Sequence, residues 1–421
     1  MTTSDKLITR QLILNWSTRV LFFLSLSSLL PTLPNYLIDI GGNKSQVGMV
    51  MSAFALGVLL FRPLIGRQID SVGRKIVLII GILIFVISPL LYLFIQSIAT
   101  LIPIRIFHGL GLAAFGTASI TLITDAAPVK KRGEVISYTG MVNTVAFSLG
   151  PILGSIIDEL WGYQVLFGTV SVLGFVCLLC AFFLHETKSH TTAKTRISYA
   201  KAILQRRIIL SFVIFFLIAM THGGVIFFIP IFLKEYIPVN IGLFFAVFGT
   251  STLLIRIFVG KVSDRWGRGP LIVFALLFLT LGVFLLSQAT NLIMLFTAAV
   301  LYGLGFGAQQ PTLTALVADS TTNETRGKIF SFYYGGFDLG ISITGLLLGA
   351  VAETFGLNAM FFVCSGLTLT AFVIFIAFFE TSISQSLRCA FNLQEPGKPY
   401  YLCDDLMEVP PEQVEEYFKN T

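Results

Sequence analysis

Several ionisable side chains of this 421-residue sequence lie inside long apolar stretches, where their charge could do chemistry. The candidates are Arg19, Arg62, Arg105, His222, Arg256 and Asp338. An apolar environment and neighbouring charges decide when a carboxylate or a histidine takes up a proton, and an arginine can hold an anion. Because an ionisable residue costs about 2.5 to 3.5 kcal/mol to place in a membrane span, such residues indicate functional sites. Of the 22 acidic residues, only Asp338 lies well inside an apolar stretch, which makes it the leading candidate for proton coupling.

Several other candidates have structural alternatives. Arg105 could hold an anionic substrate group or relay a proton, or it could simply bind backbone carbonyls. His222 precedes two glycines and could titrate, or it could be a packed, hydrogen-bonded residue. Gln309 and Gln310 are uncharged candidates for lining a cavity. Arg19, near the start of the first apolar stretch, could extend towards the membrane interface.

The sequence argues against an enzyme or a metal protein. The five cysteines follow no metal or disulfide spacing. A membrane enzyme built on Asp338 and His222 would need clustered catalytic groups, whereas the candidates are scattered along the chain. The phosphate-binding pattern GxxxxGK[ST] is absent, which disfavours ATP-driven work by this chain alone. No catalytic residue, metal site or bound cofactor is therefore expected.

The elements that position these residues are predicted to be membrane-spanning helices. Only 12% of residues are charged, against about 25% in soluble domains, and the mean hydropathy is +0.86. A helix needs about 20 apolar residues to cross a bilayer. Twelve such runs occur, over residues 12–38, 46–69, 76–95, 101–124, 134–158, 164–184, 207–233, 240–263, 271–288, 292–318, 329–354 and 358–379. The first is too long for a cleavable signal peptide and is predicted to be a helix.

The distribution of basic residues predicts the orientation of the chain. Basic loops are retained on the cytoplasmic side of a membrane. With twelve spans and a cytoplasmic amino terminus, 22 of the 28 basic residues fall inside or at the cytoplasmic ends of spans, four lie deeper within spans, and only Lys44 and Lys234 fall outside. Both termini are therefore predicted to be cytoplasmic. The net charge of +6 reflects this topology and gives no reason to expect nucleic acid as a partner.

The sequence repeats itself at an offset of 194 positions, which aligns GRQIDSVGRK at 66–75 with GKVSDRWGRG at 260–269. The aligned pairs are Arg62 and Arg256, Gly66 and Gly260, Asp70 and Asp264, Gly73 and Gly267, Arg74 and Arg268, Gly109 and Gly303, Gly111 and Gly305, and Asp125 and Asp319. Asp338 and Arg105 break the repeat, because their partners are Thr144 and Ala299. Shared residues are expected to serve folding and movement, and unshared ones the substrate or the coupling ion.

These features predict an all-α membrane protein with 12 transmembrane helices in two parallel, pseudo-symmetric six-helix bundles. The predicted parts are an amino-terminal half (1–184), a cytoplasmic linker (185–206), a carboxyl-terminal half (207–379) and an acidic cytoplasmic tail (380–421). Because six is even, both halves begin on the same side, so an axis along the membrane normal relates them. The linker and tail could be plain solvated segments, or they could contact lipid phosphate and the basic loops.

The repeated decapeptide predicts a tight cytoplasmic loop after the second span, and again after the eighth. Gly66 is expected to let a neighbouring helix approach closely, and Gly73 to permit a sharp turn. Asp70 could be received by the amino terminus of a neighbouring helix. Arg74 is expected to bridge to an acidic residue such as Asp125. A loop kept basic only for topology would leave the aspartate and the glycine spacing unexplained.

With this motif, the sequence resembles the major facilitator superfamily of transporters over residues 12–379. The matching residues are Gly66, Asp70, Gly73, Arg74 and Lys75, and in the second copy Gly260, Asp264, Gly267 and Arg268. Ser71 and Gly269 stand where basic residues are usual. The resemblance implies that the loop is a latch whose aspartate engages the start of the eleventh helix when the cytoplasmic side is shut. Asp125 and Asp319 are assigned to the same gating motif as this loop.

Two further motifs strengthen the resemblance. In RIFHGLGLAA, residues 105–114, the arginine and two glycines match a pattern of the fourth span, which lines the central cavity in this family. In AFSLGPILGS, residues 146–155, the signature of antiport-type exporters is matched at Gly150, Pro151 and Gly154. Ala146 and Ser155 stand where that signature has glycines, so direction is less firmly indicated than family.

The resemblance also implies that the second helix packs against the eleventh. Arg62 and Asp338 lie about seven and nine residues from the cytoplasmic ends of those spans, which are similar depths at about 1.5 Å per residue. We therefore predict an Arg62–Asp338 ion pair that a proton could break by neutralising the carboxylate. The alternative is a static pair that sets helix registry.

The resulting expectation is a secondary active transporter in the cell (inner) membrane that exports a small, partly apolar compound in exchange for protons. Drug, metallophore and metabolite exporters share these motifs. A proton-coupled importer of a sugar or organic anion is the closest alternative, and a receptor or sensor with the same fold is the alternative outside transport. The expected partners are the substrate, protons and the bilayer, with a proton gradient in place of a cofactor. The family resemblance implies a monomer.

Overall fold

The computed structural model describes residues 9–95, 97–127, 132–187, 204–321 and 326–379, together with residues 386, 387 and 391. All regular secondary structure in these ranges is helical, as predicted. Most of the predicted linker and nearly all of the predicted acidic tail lie outside the described residues, as do the side chains of Asp70 and Asp264.

Twelve helices, numbered here along the chain, form the described protein. They are α1 Arg10–Ser28, α2 Leu33–Asp39, α3 Lys44–Val72, α4 Arg74–Phe94, α5 Ile98–Ala126, α6 Arg132–Phe182, α7 Arg206–Tyr236, α8 Ile241–Trp266, α9 Arg268–Ser287, α10 Leu292–Asp319, α11 Arg326–Phe355 and α12 Leu357–Val373, which continues as a π-helical turn, Ile374–Phe378. We call α1–α6 the first half and α7–α12 the second half.

Eleven segments of the described chain are long and apolar enough to cross a membrane. One of them, Tyr138–Phe182, has 45 residues, which at about 1.5 Å per residue would reach about 68 Å. A hydrocarbon core is only about 30 Å thick. Gly162 interrupts this segment with non-helical backbone angles, φ 78° and ψ 176°. The break lies between the two spans that the sequence predicts here, 134–158 and 164–184.

Glycines with positive φ mark equivalent turns in the two halves. Gly73 and Gly267, which are 194 positions apart, have φ of 110° and 95° and end α3 and α8. Gly162 and Gly356, at the same offset, have φ of 78° and 85°. L side chains rarely adopt these angles, so glycine is favoured at each turn. The repeat seen in the sequence is therefore also present in the backbone.

Helix packing repeats in the same way. In the first half α1 packs on α6, α3 on α5, and α4 on α5 and α6. In the second half the equivalent pairs are α7 with α11, α8 with α10, and α9 with α10 and α12. Two extensive contacts join the halves, α3 with α11 and α6 with α8. We call them the α3/α11 seam and the α6/α8 seam.

Candidate functional site

The α3/α11 seam holds the most prominent charged pair. Arg62 Nη1 lies 2.9 Å from Asp338 Oδ2, and Nη2 lies 3.4 Å from Oδ1, so the two side chains form a bidentate ion pair. The arginine side chain is 45% exposed and the aspartate 15% exposed. The structure thus brings together the two residues that we predicted to pair because they lie at similar depths in their helices. The arginine side of the pair remains accessible.

The α6/α8 seam repeats this contact without a carboxylate. Arg256, the repeat partner of Arg62, donates to the hydroxyl of Thr144, the repeat partner of Asp338. Its Nη2 also donates to Gln310 Oε1 at 2.7 Å. Its Nε is buried and has no hydrogen-bond partner in the described part of the chain. Sequence reasoning identified the asymmetry between Asp338 and Thr144 but did not assign Arg256 to a site.

His222 and Gln309 lie deep in the second half. His222 Nδ1 is 2.6 Å from the hydroxyl of Tyr302, and its ring stacks on Phe306 with centroids 4.0 Å apart. These contacts fit the alternative of a packed, hydrogen-bonded histidine. Gln309 is fully buried, and neither end of its amide has a partner among the described residues.

Arg105 lies inside the first half, between α3 and α5. Its Nε donates to the carbonyl oxygen of Val50 at 3.4 Å, and its guanidinium lies 4.5 Å from the ring centre of Phe54. One helical turn away, His108 Nδ1 is 2.8 Å from the hydroxyl of Tyr92. Because Arg105 is only 4% exposed, these contacts match the structural alternative better than substrate contact.

The expected extension of Arg19 towards the membrane interface is wrong. This side chain is 5% exposed and turns into the first half. Its Nε donates to Asn143 Oδ1 at 3.1 Å, and its Nη1 donates to Ser119 Oγ at 3.0 Å. Polar partners on α5 and α6 hold this arginine inside the bundle because they satisfy its donors away from water.

The loop motif forms an equivalent ion pair in each half. Arg74 Nε lies 2.8 Å from Asp125 Oδ2, and Arg268 Nε lies 3.1 Å from Asp319 Oδ2. We call the membrane face that carries these pairs the loop face. The expected close helix approach at Gly66 is wrong for this structure, because a Cβ there would meet nothing within 4 Å. Gly260 is equally open, so neither loop glycine packs against a neighbouring helix.

Sequence reasoning missed two residues that hold the first loop, Glu186 and Thr187. The Glu186 carboxylate accepts hydrogen bonds from the backbone N–H groups of Arg74 at 3.0 Å and Lys75 at 2.9 Å. The Thr187 hydroxyl donates to Asp125 Oδ2 at 2.8 Å. Gly73 cannot cap α4 with a side chain, so Glu186 supplies the anion that the helix amino terminus favours. Glu186 lies two positions after the sixth predicted span, in a segment interpreted as solvated linker, so nothing in the sequence indicated this contact.

Removing this cap is expected to loosen the start of α4. For Glu186→Ala we expect a loss of about 1 kcal/mol of local stability, as for other capping residues, and about five-fold faster hydrogen exchange at the first amides of α4. Mass spectrometry of the protein in nanodiscs would measure this exchange. Glu186→Gln keeps an acceptor oxygen but loses the charge, so its effect should be smaller. Unchanged exchange in Glu186→Ala would contradict the capping role.

Polar contacts join the halves at the other end of the helices, which we call the opposite face. Lys234 Nζ lies 2.7 Å from Asp39 Oδ1, and Lys44 Nζ lies 3.0 Å from Glu235 Oε2. The backbone N–H of Lys44 also donates to Glu353 at 2.8 Å. Each contact links α1–α6 to α7–α12. Exposed ion pairs contribute only about 0 to 1 kcal/mol each, so these pairs alone do not hold the face shut.

A glycine contact brings the two halves together near that face. A Cβ added to Gly345 on α11 would overlap the carbonyl oxygen of Gly48 on α3, and the reverse substitution would also clash. Small residues allow this separation between membrane helices. The halves are therefore tightly joined at the opposite face, whereas both loop glycines at the loop face are uncovered.

The exporter-type motif packs within the first half. A Cβ at Gly150 would overlap the Ser27 hydroxyl, and one at Gly154 would overlap the Ser28 carbonyl. Both glycines therefore let α6 lie directly against the end of α1. Pro151 is buried between them in α6.

Eleven segments able to cross a membrane and a repeated packing of helices define a multi-pass membrane protein in the described part of the chain. The chain belongs to the Major Facilitator Superfamily, whose family model matches residues 16–237 and 212–395. The family predicted from the loop motif is therefore confirmed.

Relatives and solved structures agree with this assignment. The chain is 28% identical over 378 residues to the multidrug resistance protein MdtG of Salmonella arizonae, covering 86% of this chain and 93% of the relative. It is 21% identical to an uncharacterized MFS-type transporter of Methanocaldococcus jannaschii, with 82% and 92% covered. Among solved structures, a mutant of the nucleoside transporter NupG has a TM-score of 0.72 at 14% identity, with 86% and 98% covered. The human organic anion transporter MFSD10 has a TM-score of 0.63 at 19% identity, with 87% and 98% covered.

Proposed function

We propose that this protein exports a small, partly apolar compound in exchange for protons, by alternating access between two six-helix halves. The observation that carries this proposal is the Arg62–Asp338 pair at the α3/α11 seam, where a titratable carboxylate at membrane depth joins the halves. The likeness to a protein named for multidrug resistance supports export of a drug-like compound.

The proposed topology has twelve crossings. The helices α1 and α2 lie in one membrane-capable segment, Arg10–Asp39, and count as one crossing. Counting α6 as two crossings, divided at Gly162, accounts for its length and gives both halves six. The halves are then parallel bundles, residues 1–184 and 207–379, joined by the linker 185–206. With the basic loops inside the cell, the loop face is cytoplasmic, both termini are cytoplasmic, and the opposite face is external.

The proposed mechanism follows from the state of the two faces. Contacts between the halves close the opposite face, while the loop glycines are uncovered, as in a transporter open to the cytoplasm. Neutralising Asp338 with a proton removes its attraction for Arg62 across the seam. The halves can then rock about the seam. One direction of this conformational change carries the substrate out of the cell, and the reverse direction carries the proton in.

Import is the alternative direction. The fold is shared with a nucleoside transporter and an organic anion transporter, which supports neither direction over the other. The alternative outside transport, a receptor or sensor with this fold, would need no proton movement.

Proton flux in liposomes tests the function. The purified protein is reconstituted with a pH-sensitive dye inside, and candidate drugs, metallophores and metabolites are added in turn. A compound that drives proton flux opposite to its own movement supports exchange. Flux in the same direction indicates import, and transport of any compound without proton flux would refute proton coupling. Binding without movement of substrate or protons would indicate a receptor.

A further inference from the structure

The spans hold more positive than negative charge. Four arginines lie at membrane depth, Arg19, Arg62, Arg105 and Arg256, and Asp338 is the single carboxylate that pairs with one of them among the described residues. That carboxylate forms an ion pair with Arg62. The other three are held by neutral groups, so the described spans lack anions for their cations.

Arg256 differs from the other two arginines without carboxylates because it lies at a seam. Arg19 and Arg105 are buried inside the first half, with partners on its own helices. Arg256 instead reaches from α8 in the second half to Thr144 on α6 in the first. It lies ten residues before the end of α8, about 15 Å from the loop face at about 1.5 Å per residue. Arg62 has the same depth in α3, so both arginines face the junction of the halves at one level.

At the α6/α8 seam, an uncharged residue stands where the α3/α11 seam has a carboxylate counter-ion. Asp338 stands opposite Arg62, and its repeat partner Thr144 stands opposite Arg256. A cation at membrane depth is costly unless an anion or several hydrogen bonds satisfy it. A guanidinium has five N–H donors, of which Thr144 and Gln310 take two, and the buried Nε has no partner in the described chain. Donors and charge therefore remain available.

We infer that Arg256 recognises an anionic group, a carboxylate or a phosphate-type oxyanion, on the transported compound. Thr144 and Gln310 orient the guanidinium, whose remaining N–H groups form the fork that suits two oxygens of one oxyanion. The cargo then supplies the negative charge that Asp338 supplies at the other seam. This inference rests on the proposed transport function and narrows the cargo to compounds with an apolar body and an acidic group.

Thermal unfolding of the purified protein with four matched naphthalene compounds tests this inference. The probes are 1-naphthoate, 1-naphthyl phosphate, 1-naphthamide and 1-naphthylmethylamine, which share a ring system and differ in charge. We expect the two anions to raise the Tm of the unsubstituted protein, and the amide and the amine to leave it unchanged. Arg256→Gln should weaken anion binding at least about ten-fold, about 1.4 kcal/mol, whereas Arg67→Gln, an exposed arginine at the loop face, should not.

A second variant keeps the test decisive if Arg256→Gln fails to fold. Thr144→Asp builds the missing carboxylate beside Arg256, so it should abolish the anion effect. Equal stabilisation by the amide, an anion effect that survives Thr144→Asp, or no stabilisation by either anion would overturn the inference. Binding is measured without a proton gradient. A negative binding result would therefore not contradict proton-coupled transport, and an absence of transport would not contradict a positive binding result.

Discussion

Asp338→Asn is expected to abolish substrate-driven proton movement in liposomes, a loss of at least about 100-fold, while the chain still folds and inserts. The asparagine keeps the size of the side chain and can still accept a hydrogen bond from Arg62, so the helices should still pack although the ionic attraction is lost. It cannot bind or release a proton.

Two variants control for changes in packing. Thr144→Asn places the same amide at the repeat-related position, opposite Arg256, and should leave proton coupling intact. Asp338→Glu keeps a titratable carboxylate and should retain part of the coupling. Proton flux and substrate flux should be measured on the same vesicles. Full proton coupling in Asp338→Asn would exclude this carboxylate as the proton carrier and leave the static ion pair as its role.

Gly345→Ala is expected to shift the protein towards conformations that are open at the opposite face. The added methyl group would overlap the Gly48 carbonyl, a backbone atom that cannot rotate away, so α3 and α11 must separate there. We expect the ratio of open to closed molecules to rise at least about ten-fold, because relieving the clash costs more than about 1.4 kcal/mol in the closed state alone.

Spin labels at Trp161 and Tyr236, exposed residues near the opposite face in different halves, would report this opening as a longer distance. The free cysteines are first replaced in the background used for labelling. Gly335→Ala is the matched control, because it adds the same methyl group to α11 where nothing lies within 4 Å. The same distance distribution in both variants would show that the glycine contact does not hold the face closed.

The sequence predicted an all-helical membrane protein because membrane helices impose a strong pattern. Apolar runs of about 20 residues, charged turns and the offset of 194 positions located the helices and paired the halves. It predicted the contact between Arg62 and Asp338 because depth in a helix follows from counting residues. The break of α6 at Gly162 falls between two predicted apolar runs, 134–158 and 164–184, so the same pattern also indicated this turn.

The sequence could not predict which way side chains turn. Arg19 lies seven residues inside the first predicted span, a depth that suits the interface, yet Asn143 and Ser119 on other helices draw it inward. Glu186 caps a helix that begins more than 100 residues earlier, so no local pattern indicated it. The openness at Gly66 depends on where the neighbouring helices lie, which the glycine spacing alone does not determine.

The capping of α4 by Glu186 has a mechanical consequence. Thr187, the next residue, donates to Asp125, so these two consecutive residues join the end of α6 to both α4 and α5. A movement of the end of α6 would therefore act on the hydrogen bonds at Arg74, Lys75 and Asp125. The start of α4, the end of α5 and the end of α6 are in this way expected to move as one unit.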